Sequence, residues 1–273
     1  FKKGIAVLES MKFEVFVPKG LFKRDGYHAG SEIHRAKMVN DLFSNPAINA
    51  IICARGGFGA MKILPMLDYT SILQHPKIFI GFSDISALLS ALYTRTGLVT
   101  FHGPMVTTLS EGTQQTKNAM LSAFSSEKPL QIVPEKGITL RSGYASGPVS
   151  GGNLTTLCHL VGTPFEPDYT GHILFLEDRG EAIYRIDRML THMRLAGCFD
   201  GLAGLLLGSF DNCGTDDDIF KIVGSVFQRY DIPILTGFAI GHGKNNMTVP
   251  IGLDATLNTD RKSLLFHGCA TRE

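Results

Sequence analysis

The 273-residue chain has no tryptophan, no CxxC pair, no apolar run of membrane-spanning length and no surplus of either charge. Twenty-six Lys and Arg against twenty-five Asp and Glu leave a formal charge of +1. Such a balance supplies no global field toward nucleic acid or an anionic membrane, so neither is an expected partner. The five cysteines (Cys53, Cys158, Cys198, Cys213 and Cys269) are scattered. They read as reduced thiols in a cytoplasmic protein, not as a disulfide framework or a zinc site. The longest apolar stretches, such as Gly201 to Phe210, end at turn residues well short of a bilayer span. At the N-terminus a basic pair precedes a few apolar residues, but Glu9 and Lys12 interrupt them and no cleavage site follows, so a secretory leader is not expected.

What the chain does have is apolar content, 44% of its residues, enough for one large domain or two smaller ones. In the first half, short apolar runs alternate with helix-like segments. Helices are predicted at Ile5 to Met11, Glu32 to Ser44, Ala60 to Leu67 and Ile85 to Arg95, and strands at Glu14 to Val17, Ile48 to Ala54, Lys77 to Ile80 and Val99 to Phe101. That alternation predicts βαβ units and a parallel sheet covered on both faces. From Ser125 to Gly152 the helical period disappears and proline and glycine accumulate, which marks an interdomain crossing segment. The second half predicts strands at Ile173 to Leu176, Gly204 to Leu207, Ile234 to Phe238, Thr248 to Ile251 and Ser263 to Phe266. Helices are expected at Leu154 to Val161, Ala182 to Leu195 and Asp217 to Tyr230. The expected division is therefore an α/β domain over 1–124, a crossing segment over 125–152 and a mixed, β-rich domain over 153–273.

In open parallel sheets, ligands collect beyond the carboxyl ends of strands, where helix N-termini leave N–H groups unpaired. Two strand ends here are chemically unusual. In IICARGGFGA, Arg55 and the pair Gly56-Gly57 follow a strand, either as a tight turn or as a backbone that approaches a ligand closely. The spacing matches neither a dinucleotide fingerprint nor a P-loop. In KIFIGFSDISALL, Ser83 stands between a strand and a helix. It reads either as a helix N-cap or as a nucleophile on a sharp turn, with the amide of Asp84 placed for an oxyanion. Ile85 replaces the last glycine of G-x-S-x-G.

A nucleophilic serine requires a base and a group that orients the base. LFLEDRGE puts Glu177 and Asp178 at the end of an apolar strand, and GFAIGHGKNN puts His242 between two glycines. The order Ser83, Glu177, His242 is the serine, acid, histidine order of α/β-hydrolases. Imidazole suits the base because it takes and returns a proton near neutrality. His102, in FHGP, is the rival histidine, since it follows a short strand of the same sheet as Ser83, although a structural turn also explains it.

Together, YHAGSEIHRAKMVNDLF, ICARGGFGAMKILPMLDY, FIGFSDISALLSAL, TFHGP, SGGNLTTLCHLVGTP, ILFLEDRGEAIYRIDRMLTHMRLAG and IGHGKNNMTVPIG resemble the LD-carboxypeptidase family of serine peptidases. The resemblance covers nearly the whole chain. It implies a catalytic triad of Ser83, Glu177 and His242 in a groove between two domains, and oxyanion donors at the backbone N–H groups of Gly57 and Asp84. It further implies a homodimer that needs no metal or other cofactor. The implied reaction releases terminal D-alanine from muropeptide tetrapeptides, cutting after L-lysine or meso-diaminopimelate, with Arg55 a candidate for the substrate carboxylate. Members carry a strand ahead of the region matching Phe1 to Lys12, so the numbered chain is expected to begin after it. Two other readings stand beside the first. One is an immunity peptidase that cleaves peptide-nucleotide antibiotics of the microcin C type, which the lack of tryptophan for base stacking disfavours. The other is a non-catalytic muropeptide-binding protein, in which the three residues do not converge.

Overall fold

A computed structural model describes residues 1–125 and 129–271. Among the described residues, twelve strands form two sheets. The first contains β1 (Ala50–Ile52), β2 (Ile78–Gly81), β3 (Thr100–His102) and β10 (Val249–Ile251), in that spatial order. Strands β1, β2 and β3 run parallel, as the alternation of apolar runs and helices predicts, whereas β10 pairs antiparallel with β3. The second sheet has eight strands in the order β4-β12-β11-β6-β7-β8-β9-β5. Here β4 is Gln131–Ile132, β5 Thr139–Arg141, β6 Tyr144–Asn153, β7 Ile173–Arg179, β8 Gly204–Asp211, β9 Ile234–Leu235, β11 Asp254–Asn258 and β12 Ser263–Phe266. The run β6-β7-β8-β9 is parallel, with antiparallel pairs on both flanks.

The helices largely follow the sequence pattern. Residues Glu32–Ser44 form a helix whose first turn is capped by the Ser31 side chain, which accepts from His34 N–H. Pro65 converts the predicted helix 60–67 into Ala60–Ile63 followed by a 3-10 turn, Leu64–Met66. The helix Ser86–Thr96 is buried through its first two turns, Ser86 to Leu92, and stops at Gly97 with φ +71°.

Two predictions change. Residues 14–17 are not a strand. Segment 125–152 contains β4, β5 and most of β6, the longest strand of the molecule at 10 residues. Its glycines serve close packing, not a linker: a Cβ at Gly147 would lie 2.1 Å from Gly171 O, and one at Gly151 2.0 Å from Phe175 O. Strand β10, expected in the second domain, crosses back into the first sheet. Its Val249 pairs with His102, so the C-terminal half completes the sheet that carries Ser83.

Candidate active site

Strand β2 ends at Gly81, where a Cβ would come within 2.7 Å of Ile85 Cγ2. Phe82 is extended, and Ser83 then turns with φ +65°, one of only four non-glycine residues among those described to do so. A side chain in that region costs about 1–2 kcal/mol. The chain next makes the 3-10 turn Ser83–Ile85 and enters the helix at Ser86. Neither of these helical segments has a side-chain cap, and Ser83 Oγ has no hydrogen-bond partner among the described residues. The hydroxyl is thus held at a strained strand-to-helix turn without serving as an N-cap.

The Arg55–Gly59 loop lies against this turn. A Cβ on Gly56 would sit 3.1 Å from Ser83 Cβ and 3.2 Å from its Oγ, so glycine lets the loop backbone approach the serine. Gly57 has φ +130°, and its N–H meets no acceptor among the described residues. Asp84 holds the loop in place, because its Oδ2 accepts from Ala60 N–H at 2.9 Å. Burial raises the Asp84 pKa, against the opposing pull of the Ala60 and Gly59 amides and of the Arg35 charge. Arg35 Nη1 in turn donates to Gly59 O at 2.9 Å. Arg55 is exposed and folds back on the loop, Nε donating to Gly56 O at 3.1 Å.

Glu177 and His242 meet from positions 65 residues apart. Glu177 Oε2 lies 2.6 Å from His242 Nδ1 and accepts the His242 backbone N–H at 3.2 Å. The glutamate side chain is fully buried, while 13% of the histidine side chain reaches solvent. Burial opposes ionisation of Glu177, but the adjacent imidazoles of His102 and His242 outweigh it and hold the carboxyl down at about 2. Alternation along β7 separates the two acids of the LED motif. Glu177 faces the histidines, and Asp178 accepts from Asn153 Nδ2, Thr155 N–H and Thr155 Oγ1 at 2.7–2.9 Å, holding the turn into the helix Leu154–Cys158.

The histidine loop has its own supports. Gly241, at φ +97°, leaves room for the acid: a Cβ there would be 2.1 Å from Glu177 Oε2. Asn246 Oδ1 accepts Gly241 N–H at 2.9 Å, and Asn246 N–H donates to Thr116 Oγ1 at 3.0 Å, tying the loop to the first half of the chain. Phe82, next to Ser83, puts its ring 4.8 Å from that of His242. The structure therefore brings the loop of Arg55 and Gly57 onto Ser83 and Asp84, and Glu177 onto His242, with Phe82 bridging the two groups. It leaves the Ser83 hydroxyl unbonded. Gly241, Asn246 and the Asp84 carboxylate are functional candidates that sequence reasoning missed. The GHGKNN run signalled the first two, but only the fold shows what they touch.

Among the described residues no cluster of three or more His, Cys, Asp or Glu is arranged to hold a metal ion, and no helix is long and apolar enough to cross a membrane. All five cysteines are free. A cavity of about 690 Å³ opens elsewhere, at the outer edge of β1, lined by Phe13 to Pro18 and Ala47 to Ile52 among others. None of Ser83, Glu177 and His242 lines it. It is a mainly apolar hollow beside a sheet edge.

The strained serine turn follows a strand of the first sheet and the carboxylate of the imidazole pair stands on the second, with Phe82 and His242 in ring contact. Family profiles for the LD-carboxypeptidase N-terminal and C-terminal domains match residues 1–103 and 146–257. A probable murein peptide carboxypeptidase of Bacillus subtilis is 38% identical over 96% of this chain and 85% of its own length. Among solved structures, an MccF-like protein from Bacillus anthracis superposes with TM-score 0.93 at 28% identity, covering 98% of this chain and 91% of its own. A muramoyltetrapeptide carboxypeptidase from Oxalobacter formigenes gives 0.88 at 30% identity, covering 99% and 94%. The chain belongs to the LD-carboxypeptidase family.

Proposed function

We propose that the protein is a serine LD-carboxypeptidase that removes the terminal D-alanine of muropeptide tetrapeptides, with Ser83 as nucleophile, His242 as base and Glu177 as the acid that orients it. The observation that carries this reading is the 2.6 Å contact of Glu177 Oε2 with His242 Nδ1, with Phe82, the neighbour of Ser83, against the His242 ring. With Nδ1 committed to the carboxylate, Nε2 is the nitrogen left to take the Ser83 proton. The alkoxide attacks the carbonyl of the L-centre, and the N–H groups of Gly57 and Asp84 hold the oxyanion. His242 then gives its proton to the departing D-alanine amine, and water, activated by the same imidazole, clears the acyl-enzyme. Arg55 and the free loop amides are the groups that receive the terminal carboxylate. The murein peptide and muramoyltetrapeptide carboxypeptidases among its relatives support the substrate class.

The likeness to MccF-like proteins favours a second substrate for the same machinery, the amide of a peptide-nucleotide antibiotic. Offering a tetrapeptide ending in D-alanine and a microcin C-type compound in competition separates the two. Release of D-alanine, lost in Ser83→Ala, is the expected result. No release from free or sugar-linked tetrapeptide, by protein that a serine-directed reagent labels at Ser83, would overturn it. Failure of that label would favour a non-catalytic binding protein. The family resemblance adds a cytoplasmic homodimer to the reading, and sedimentation velocity checks the oligomeric state.

A further inference from the structure

His102 is the last residue of β3, held between Gly81 of β2 and Val249 of β10 by register. Its side chain is fully buried, and its Nε2 lies 3.8 Å from Glu177 Oε1, on the side of the carboxylate away from His242. That separation is too long for a hydrogen bond. Accordingly, His102 Nδ1, His102 Nε2 and Glu177 Oε1 are all buried without a partner. Three orphaned polar atoms in one buried contact are rare in native proteins, where such groups pair. The aromatic rings of Phe175, at 4.9 Å, and Phe82, at 5.9 Å, meet the imidazole edge-to-face and hold its plane.

We propose that His102 is a positioning residue for the reaction: its Nε2–H donates to Glu177 Oε1, so that the carboxylate is clamped between two imidazoles and cannot rotate away from His242. The proposal rests on the assignment of Glu177 as the triad acid. An approach of about 1 Å closes the bond. The clamp does two things. It leaves Oε2 as the atom offered to His242 Nδ1, and it divides the carboxylate charge, so that His242 is not bound so strongly as imidazolium that it fails to return its proton. The titratable groups facing the carboxylate are His102 from β3 and His242 from its loop. Asp178, the neighbour on β7, is turned to Asn153 and Thr155.

The test compares pH profiles of kcat and kcat/KM for His102→Leu and His102→Gln with the unmodified protein on a tetrapeptide substrate. His102→Leu should lower kcat about 10- to 100-fold with KM little changed, and move the acid limb of the profile upward. The upward sign follows because a carboxylate without its donor is itself protonated at higher pH. His102→Gln, whose amide N–H2 reaches the same oxygen, should restore most of both. Unchanged kinetics in His102→Leu, or equal losses in both variants with an unmoved acid limb, would overturn the proposal and leave His102 as a core side chain. Histidine 15N resonances of the unmodified protein give a readout independent of variant folding. His102 should carry its proton on Nε2, and a bare Nε2 overturns the clamp. Wild-type turnover in Glu177→Gln would instead sink the triad assignment, a result distinguishable from failure of the clamp alone.

Discussion

Ser83 occupies a conformation that a glycine would adopt without cost, and no group among the described residues bonds its hydroxyl. Strain kept at a residue with no structural task fits a group retained for chemistry. Ser83→Gly is therefore expected to raise the melting temperature, by relief of about 1 kcal/mol, while abolishing D-alanine release; thermal denaturation alongside the peptidase assay checks both. Glu177 carries the matching electrostatic consequence. Its folded-state pKa of about 2 lies below the ordinary 4.5, so its ionisation adds stability that is complete above the ordinary value and is lost as the pH falls through the folded one. The stability difference between the unmodified protein and Glu177→Gln should thus shrink between pH 5 and pH 2, approximately, in denaturant titrations. Asp84 lies the other way, its pKa raised chiefly by burial. Asp84→Asn should accordingly keep more activity than Ser83→Ala, and Asp84→Ala less than Asp84→Asn, because the Ala60 N–H then loses its acceptor. Single-turnover acylation rates would rank the three.

At the scale of elements, the site is assembled from the loops that follow strands β1, β2 and β9 and from residues within β3 and β7. The helices were legible in the chain where a cap or a glycine stop marked their ends, as Ser31 and Gly97 do, whereas Pro65 broke the helix expected over 60–67. Strand β6 was not, because Gly147, Pro148, Gly151 and Gly152 have the composition of a linker. Gly147 and Gly151 let neighbouring backbone approach, and Gly152 leaves room for the Ser86 side chain, whose Oγ lies 2.5 Å from where a Gly152 Cβ would sit. The histidine loop supports a further prediction. In Gly241→Ala the new methyl meets Glu177 Oε2 and the backbone is left-handed. That variant should fall to the activity of Glu177→Gln while keeping its circular dichroism spectrum, a result that distinguishes displacement of the Glu177–His242 pair from unfolding of the sheets.

At the scale of the whole molecule, the two halves are not independent. Strand β10 covers one edge of the first sheet, Asn246 bonds to Thr116, and the Asn153 amide donates to Ser86 Oγ at 3.0 Å. A fragment of residues 1–143 leaves β3 as an open, fully buried-type strand edge. Such a fragment should aggregate when produced alone and remain in solution only when residues 144–273 are co-produced, as size-exclusion chromatography would record.

The sequence by itself determined the parallel α/β first half and nominated Ser83, Glu177 and His242, in that order, as candidates, because apolar period, breakers and short motifs are local signals. Tertiary structure alone decided that the Ser83 hydroxyl caps no helix, that Asp84 uses its carboxylate to hold the Gly56-Gly57 loop, and that His102 lies beside the acid. These outcomes depend on contacts between residues 24 to 75 positions apart, whose distances follow from sheet order and strand register and not from any neighbouring residue.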